Sequence, residues 1–329
     1  MLLAGGESLG DARAAADRFV GAVARPLEVE GRTLRVGSCV GIALHPDHGG
    51  TFEELFEAAD RAMYEAKREP GTVVAASAVD AGRPGEPPVP DAEGILEDDR
   101  LVLDYQPLCD PVDGRRVGLE ALARWEHPDG RRVRAREFVP ALEREGLGER
   151  LDERVLELVA RQLGRWSDDA VPDWLAVNLT PASLRSDELG ERIDALLREG
   201  GIDPPRLVLE LSERMGSRDL ADLGPRLRRL RERGLRVALD DYGAGRSSVA
   251  HLRELPVDLL KVDRSLVGSG SRPDGRSLAC ALVRFGAELG LEVAVEGVET
   301  DAAVAWAAEA GADLVQGRAA GPPVPPEEI

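Results

Sequence analysis

Five short runs in this chain share one local form, in which three small or apolar residues precede an oxygen donor. They read Val117-Gly118-Leu119-Glu120, Leu175-Ala176-Val177-Asn178, Leu207-Val208-Leu209-Glu210, Val237-Ala238-Leu239-Asp240 and Val293-Ala294-Val295-Glu296. A sixth, Leu259-Leu260-Lys261-Val262-Asp263, carries a lysine and an aspartate, and Leu314-Val315-Gln316 ends on an amide. Gathered at one rim, Glu120, Glu210, Asp240, Asp241, Glu296 and Glu299 would face a single candidate cation, Lys261. Crowded carboxylates raise one another's pKa and cannot all stay ionised without counter-charge. Divalent cations supply it. The donors are carboxylates and the Asn178 amide, without His or Cys, a set that favours Mg²⁺ or Mn²⁺ over zinc. The tandem pair Asp240-Asp241 suits a bridge across two ions. Two such ions would activate a water and stabilise the leaving oxygen of a phosphodiester.

Taken singly, a Glu at a strand end is more often a surface or capping residue than a ligand, and a Lys in a strand can be a plain structural counter-ion. Recurrence in the same slot of five strands is what weighs for a site. The loop Gly243-Ala244-Gly245 that follows Asp240-Asp241 is a weak phosphate-loop signal alone; beside two carboxylates it reads as shaping a metal site.

The elements that must position these residues alternate. Apolar runs at Leu101–Tyr105, Val117–Ala123, Leu175–Leu179, Leu207–Leu211, Val237–Leu239, Leu259–Val262, Val293–Val295 and Leu314–Val315 predict strands. Amphipathic stretches between most of them predict helices at Phe138–Glu145, Leu151–Trp166, Ser186–Glu199, Leu220–Arg233, Arg246–Glu254, Arg276–Leu289 and Ala302–Glu309. Eight strands over roughly 235 residues have the rhythm of a (β/α)8 TIM-like barrel, whose active site lies at the C-terminal strand ends. The turn Asp110-Pro111-Val112-Asp113-Gly114 is too short for a crossover helix, so the first strand is expected to be antiparallel to the second. Alternation then puts Glu120, Leu122 and Arg124 on one face.

Composition bounds the rest. The 329 residues carry a net charge of −19 and are 43 % hydrophobic. That allows two domains and a real core, and argues against non-specific DNA or RNA binding, which needs cationic surface. Cys39, Cys109 and Cys280 are odd in number and form no C-x-x-C pair, which fits a reducing, cytoplasmic compartment. No apolar run is long enough to span a membrane. Residues 73–92, with Pro84, Pro87, Pro88 and Pro90, read as a linker between a unit at 1–72 and a larger domain at 93–329. In the first unit the sequence predicts a helix from Asp11 to Val23, a strand pair at Leu27–Val29 and Leu34–Ala43, and a helix from Phe52 to Lys67. His45 and His48 read as turn residues, and Trp125, Trp166, Trp174 and Trp306 as packing residues.

Residues 95–323 resemble an EAL domain. The ordered matches are Tyr105-Gln106-Pro107, Glu120-Ala121-Leu122-Ala123-Arg124-Trp125, His127-Pro128-Asp129-Gly130, Asn178-Leu179-Thr180, Glu210-Leu211-Ser212-Glu213, Asp240-Asp241-Tyr242-Gly243-Ala244-Gly245, Leu260-Lys261-Val262-Asp263, Val295-Glu296-Gly297-Val298-Glu299-Thr300 and Gln316-Gly317. The resemblance implies metal-dependent hydrolysis of one phosphodiester of cyclic di-GMP to linear pGpG; a catalytically silent receptor or interaction module is the alternative. It implies one ion on Glu120, Asn178, Glu210 and Asp240, and a second on Asp240, Asp241 and Glu296. Lys261 would orient or help deprotonate the attacking water, and Glu120 and Glu296 would share in catalysis. Arg124, Gln316 and Leu122 would lie at the substrate. Glu213 would anchor the loop after the fifth strand, with Glu299 and Asp263 supporting the site. A homodimer is implied as well. Arg246 stands where many relatives carry an aromatic residue, and the segment Gln316 to Pro323 lacks the usual aromatic and the Arg before Pro.

Residues 1–72 resemble the C-terminal half of a GGDEF (diguanylate cyclase) domain through Val40-Gly41-Ile42-Ala43, His45-Pro46-Asp47 and Ala58-Ala59-Asp60-Arg61-Ala62-Met63-Tyr64-Glu65-Ala66-Lys67. The hairpin that carries that family's signature is not among them, so this α+β remnant is expected to be truncated and unable to make cyclic di-GMP.

Overall fold

The apolar runs fold as strands, most of them longer than their apolar centres. In a computed structural model the described residues are 9–23, 27–29, 32–34, 39–49, 55, 58–59, 62–63, 73–75, 92–97, 100–166, 173–215, 217–244, 252, 255–267 and 273–329. The chain divides into two units, Met1–Pro88 and Val89–Ile329. In the second, the strands are β1 (Leu101–Cys109), β2 (Arg116–Glu126), β3 (Arg132–Arg134), β4 (Trp174–Asn178), β5 (Leu207–Ser212), β6 (Arg236–Tyr242), β7 (Leu259–Val262), β8 (Glu292–Glu296) and β9 (Leu314–Gln316).

Strands β4 to β9 pair in parallel with their neighbours, and β4 also pairs in parallel with β2. Strand β1 closes the barrel, antiparallel to both β2 and β9, as the short turn after it predicts. Strand β3 pairs only with the far end of β2, so β1, β2 and β3 continue as a ribbon past the barrel.

Alternation sorts side chains into two shells. One apolar cluster, Leu108, Trp174, Ala176, Val208, Ala238, Leu259, Ala294 and Leu314, has the parity of the oxygen donors and fills the barrel. The opposite parity meets the helices in the larger core. Helix Gly148–Arg165 contributes Leu151, Val155, Leu156, Val159 and Leu163 at helical spacing, and helix Leu189–Gly200 contributes Ile193 and Leu197. The expected helix Arg246–Glu254 lies outside the described residues apart from Leu252. Pro181–Arg185 forms a short helix ahead of Leu189–Gly200, where the sequence suggested one helix from Ser186. The described residues include no helix long and apolar enough to cross a membrane.

In the first unit, helix Leu9–Val23 packs against a small sheet of Val40–Ile42 and Val73–Ala75. Leu27–Val29 pairs antiparallel with Arg32–Leu34 across Glu30-Gly31. Of the expected second strand, Leu34–Ala43, residues 35–38 lie outside the described residues, and Val40–Ile42 pairs with Val73–Ala75, in parallel. Val73–Ala75, at the start of the stretch read as a linker, pairs within this sheet. Most of the expected helix Phe52–Lys67 lies outside the described residues. His48 is a satisfied turn residue, its Nδ1 accepting from Leu44 N at 2.8 Å.

Candidate metal centre

Small residues leave room for the polar ring. Ala176, Val208, Ala238 and Ala294 each stand two positions before Asn178, Glu210, Asp240 and Glu296, so an apolar layer carries a polar one on the same face. Register sets the neighbours: Asn178 lies beside Glu210, and Glu296 beside Gln316. Lys261 rises two residues above Leu259 into this layer.

The Lys261 ammonium is fully buried and central. Its Nζ is 3.0 Å from Glu120 Oε2, 3.1 Å from both oxygens of Glu210, 3.0 Å from Asp240 Oδ1 and 3.0 Å from Glu296 Oε1. An ammonium has three protons to donate. Glu210 Oε1 and Asp240 Oδ1, although close to it, have hydrogen-bond geometry to no partner. Glu120 is better satisfied, for Oε1 accepts from Asn178 Nδ2 at 2.7 Å and Oε2 from Gln316 Nε2 at 2.6 Å. The Asn178 amide oxygen is left for another partner.

Burial, then the charge of Glu120, pushes the Glu210 carboxyl well above the ordinary range. Burial and Asp240 do the same to Glu296. Burial alone would lower Lys261, but Asp240, Glu120, Glu210 and Glu296 outweigh it and hold the side chain well above an ordinary lysine. Four carboxylates against one ammonium leave negative charge in buried space, which a protein sustains only with cations or protons.

The carboxylates form two groups whose oxygens lie within 4.8 Å of one another, Glu120 with Glu210 and Asp240, and Asp241 with Asp263 and Glu296. Asp240 and Asp241 are adjacent and would point to opposite faces of a regular strand. Between Leu239 and Tyr242, β6 carries one residue more than the facing stretch of β7, and Asp241 sits at φ 56. A bulge with a left-handed residue breaks the alternation, so each aspartate joins a different group. Residue for residue, hard oxygen donors in two adjacent groups fit divalent cations of the magnesium class.

The remaining site residues fall around this centre. Gln316 is buried next to Glu120, and its Nε2 also reaches Gln106 Oε1 at 3.4 Å. Gly317 (φ 155) turns the chain where a Cβ would lie 2.4 Å from Val298 O. Glu213 is buried, and its Oε2 accepts from Gly243 N at 2.8 Å, just after β6. Leu122 and Arg124 follow Glu120 on the inward face of β2, on the ribbon. Arg124 Nε donates to Asp104 Oδ2 at 2.8 Å.

Two expectations change. Glu299 does not converge with the other acids: it is exposed and pairs with Arg318 at 3.4 Å. The turn after β8 leads it away from the rim. Asp263, read as loop support, does cap the turn Arg264–Leu266 by accepting from Ser265 N at 2.8 Å, but its carboxylate also belongs to the second acidic group. Its place two residues after Lys261, on the same parity, is the signal that could have assigned it. Gln106 and Asp104 were given no role from the sequence; both become visible once β1 is aligned with β2, where Gln106 faces Glu120 and Asp104 faces Leu122. Arg246 lies outside the described residues. A cavity of about 270 Å³ between helices Gly148–Arg165 and Leu189–Gly200, near Leu156, Leu196 and Glu199, is lined by none of these acids.

Known proteins resemble this chain in sequence and fold. The family model for the EAL domain matches residues 90–323, and that for the diguanylate cyclase GGDEF domain matches residues 4–72. The bifunctional diguanylate cyclase/cyclic di-GMP phosphodiesterase MucR of Pseudomonas aeruginosa is 33 % identical over 324 residues, 97 % of this chain and 47 % of that protein. The cyclic di-GMP phosphodiesterase NbdA of the same organism is 33 % identical over 322 residues, 96 % of this chain and 41 % of its own length. The chain thus spans less than half of these curated relatives. A solved structure of the PaMucR phosphodiesterase in a c-di-GMP complex superposes with a TM-score of 0.68 at 34 % identity, covering 72 % of this chain and 97 % of that one. The chain belongs to the EAL-domain family.

Proposed function

We propose that residues 93–329 hydrolyse cyclic di-GMP to linear pGpG with two Mg²⁺ or Mn²⁺ ions. The observation that carries this reading is the buried excess of carboxylates around Lys261, divided into two groups by the bulge at Asp241. Bound ions would neutralise these acids and lower the pKa of an attacking water.

The chain's own residues do the rest. Glu120, Asn178, Glu210 and Asp240 would hold one ion, and Asp240, Asp241 and Glu296, with Asp263, the other. Lys261, held as an ammonium, donates hydrogen bonds and so orients a water on its lone pair. Glu296 and Glu120 stand next to that ammonium and can take up the proton the water loses. Water adds to phosphorus, one ring P–O bond breaks, and the freed ribose oxygen takes a proton. Gln316 and Leu122 border the site, and Arg124 lies where an anionic part of the substrate would pass. Glu213 steadies the loop after β6 through Gly243 N. Homodimerisation and a cytoplasmic location go with this reading.

Incubation with cyclic di-GMP and Mg²⁺ or Mn²⁺ should yield pGpG, and a chelator should stop it. Glu120→Ala should cut the rate by at least the ~10–100-fold that changes around metal ligands cost. Binding without turnover would make the domain a cyclic di-GMP receptor; neither binding nor turnover would end the reading.

A further inference from the structure

The ribbon formed by β1, β2 and β3 carries its own charged network beyond the acidic ring. Register puts Asp104 opposite Leu122, Val102 opposite Arg124 and Glu126 opposite Arg132, so Asp104, Arg124, Glu126 and Arg132 share the face that holds Glu120 lower down. Arg124 Nε donates to Asp104 Oδ2 at 2.8 Å, and Arg124 Nη1 donates to Ala123 O at 3.0 Å. The other Asp104 oxygen accepts from Arg132 Nη1 at 3.0 Å, and Arg132 Nη2 pairs with Glu126 Oε1 at 3.1 Å. The side chains of Arg124 and Asp104 are 11 % and 13 % exposed, so their bond is shielded in a way that rim ion pairs are not, whereas Arg132 is 44 % exposed.

Two directed bonds from different nitrogens fix the plane of a guanidinium, and a planar fork that is already ordered loses less freedom when it binds an anion. The Nη2 of Arg124 remains for that anion. The arrangement has a cost: Asp104 places a negative charge near a negatively charged substrate. Arg132 offsets it: two arginines balance Asp104 and Glu126, so the four side chains carry no net charge. Arg124 stands four residues beyond Glu120, about 13 Å along the strand, which is a reach suited to a part of the substrate other than the phosphodiester at the acids.

We infer that Asp104, clasped between Arg124 and Arg132, is a positioning residue that aims the Arg124 guanidinium at the cyclic dinucleotide. The inference rests on the phosphodiesterase reading above.

Steady-state kinetics on the full chain test it. Asp104→Ala should raise KM for cyclic di-GMP roughly 5–20-fold, the scale of one charge-assisted hydrogen bond, with kcat within about threefold of wild type. Asp104→Asn keeps an acceptor for Nε–H and should recover most of the loss. Arg124→Ala should raise KM at least as much as Asp104→Ala, and adding Asp104→Ala to it should change little, because the two act through one contact. Arg132→Ala alters a half-exposed residue, and by loosening Asp104 it should raise KM roughly 2–5-fold. An unchanged KM in Asp104→Ala, or losses from Arg124 and Asp104 that add in full, would overturn the inference while leaving the phosphodiesterase reading intact. A wild-type chain that neither binds nor cleaves cyclic di-GMP would remove both.

Discussion

Asp152 sits 3 % exposed on helix Gly148–Arg165, and its Oδ2 accepts from both Thr180 N and Thr180 Oγ1 at 2.7 Å. Thr180 follows Asn178 by two residues, so this carboxylate ties the outer helix to the strand end that carries an amide of the site. Burial raises its pKa to about 6 from 3.8, against the opposing effect of the Thr180 bonds. The folded state therefore binds the proton more tightly than the unfolded state. Its contribution to stability is complete below pH 3.8 and is lost as pH rises through 6, in total about 3 kcal/mol at 1.36 kcal/mol per pKa unit. Glu210 and Glu296 are raised too and slope the same way, so the group is isolated by difference. Asp152→Asn does not titrate. Its unfolding free energy relative to wild type should climb by about 1 kcal/mol between pH 5 and pH 7. Urea midpoints at both pH values measure it, and a difference that stays flat or falls would mean that folding does not raise the carboxyl's pKa.

The barrel strands are set by what fills their lower end. An ideal Cβ at Gly118 would lie 2.5 Å from three atoms of the Trp174 ring. Trp174 is buried across from it in register, with the Arg236 guanidinium 5.4 Å from its ring and Arg236 in turn paired with Glu292. The indole is held on both sides, so Gly118→Ala should act as an overpacking change. It should cost about 1–3 kcal/mol and lower the melting temperature by roughly 2–10 °C. A melt at the wild-type temperature would show that the ring can shift freely. Residues such as Arg236 and Glu292 also mark how far the elements could be read from sequence. The apolar centres, Leu259–Val262 above all, were legible because period and composition agree there. The charged strand ends were not, since Arg236 and Glu292 look like loop residues until the barrel pairs them. The five oxygen donors were legible through their repeated slot. The division of Asp240 from Asp241 was not, because a left-handed non-glycine residue is imposed by tertiary structure and has no local signature. Glu299 misled for the opposite reason: spacing from Glu296 suggests a shared rim, and only the turn between them removes it.

Across the whole chain, 61 acidic residues outnumber 42 basic ones, and the acids of the centre add to that repulsion in its least hydrated place. The groups proposed to hold the ions lie on β2, β4, β5, β6 and β8, with Asp263 just after β7, segments brought together only by the closed barrel, so an ion held by them would bind the folded state and hardly the unfolded one. Such binding stabilises by about 2.7 kcal/mol at a hundred times the dissociation constant. For a barrel of this size that corresponds to a rise in melting temperature of roughly 5–11 °C. Diffuse screening of the net negative charge by any salt also stabilises, but it depends on ionic strength and not on coordination. Mg²⁺ or Mn²⁺ should therefore raise the melting temperature well beyond KCl of matched ionic strength, and excess chelator should reverse the gain. Glu210→Gln removes one buried charge while keeping the shape, so it should leave the chain at least as stable without added metal and abolish the divalent-specific part of the shift. A Glu210→Gln variant that keeps the full shift would place the ion elsewhere, and a wild-type chain that responds to Mg²⁺ or Mn²⁺ no more than to KCl would mean that protons, not metals, settle the charge around Lys261.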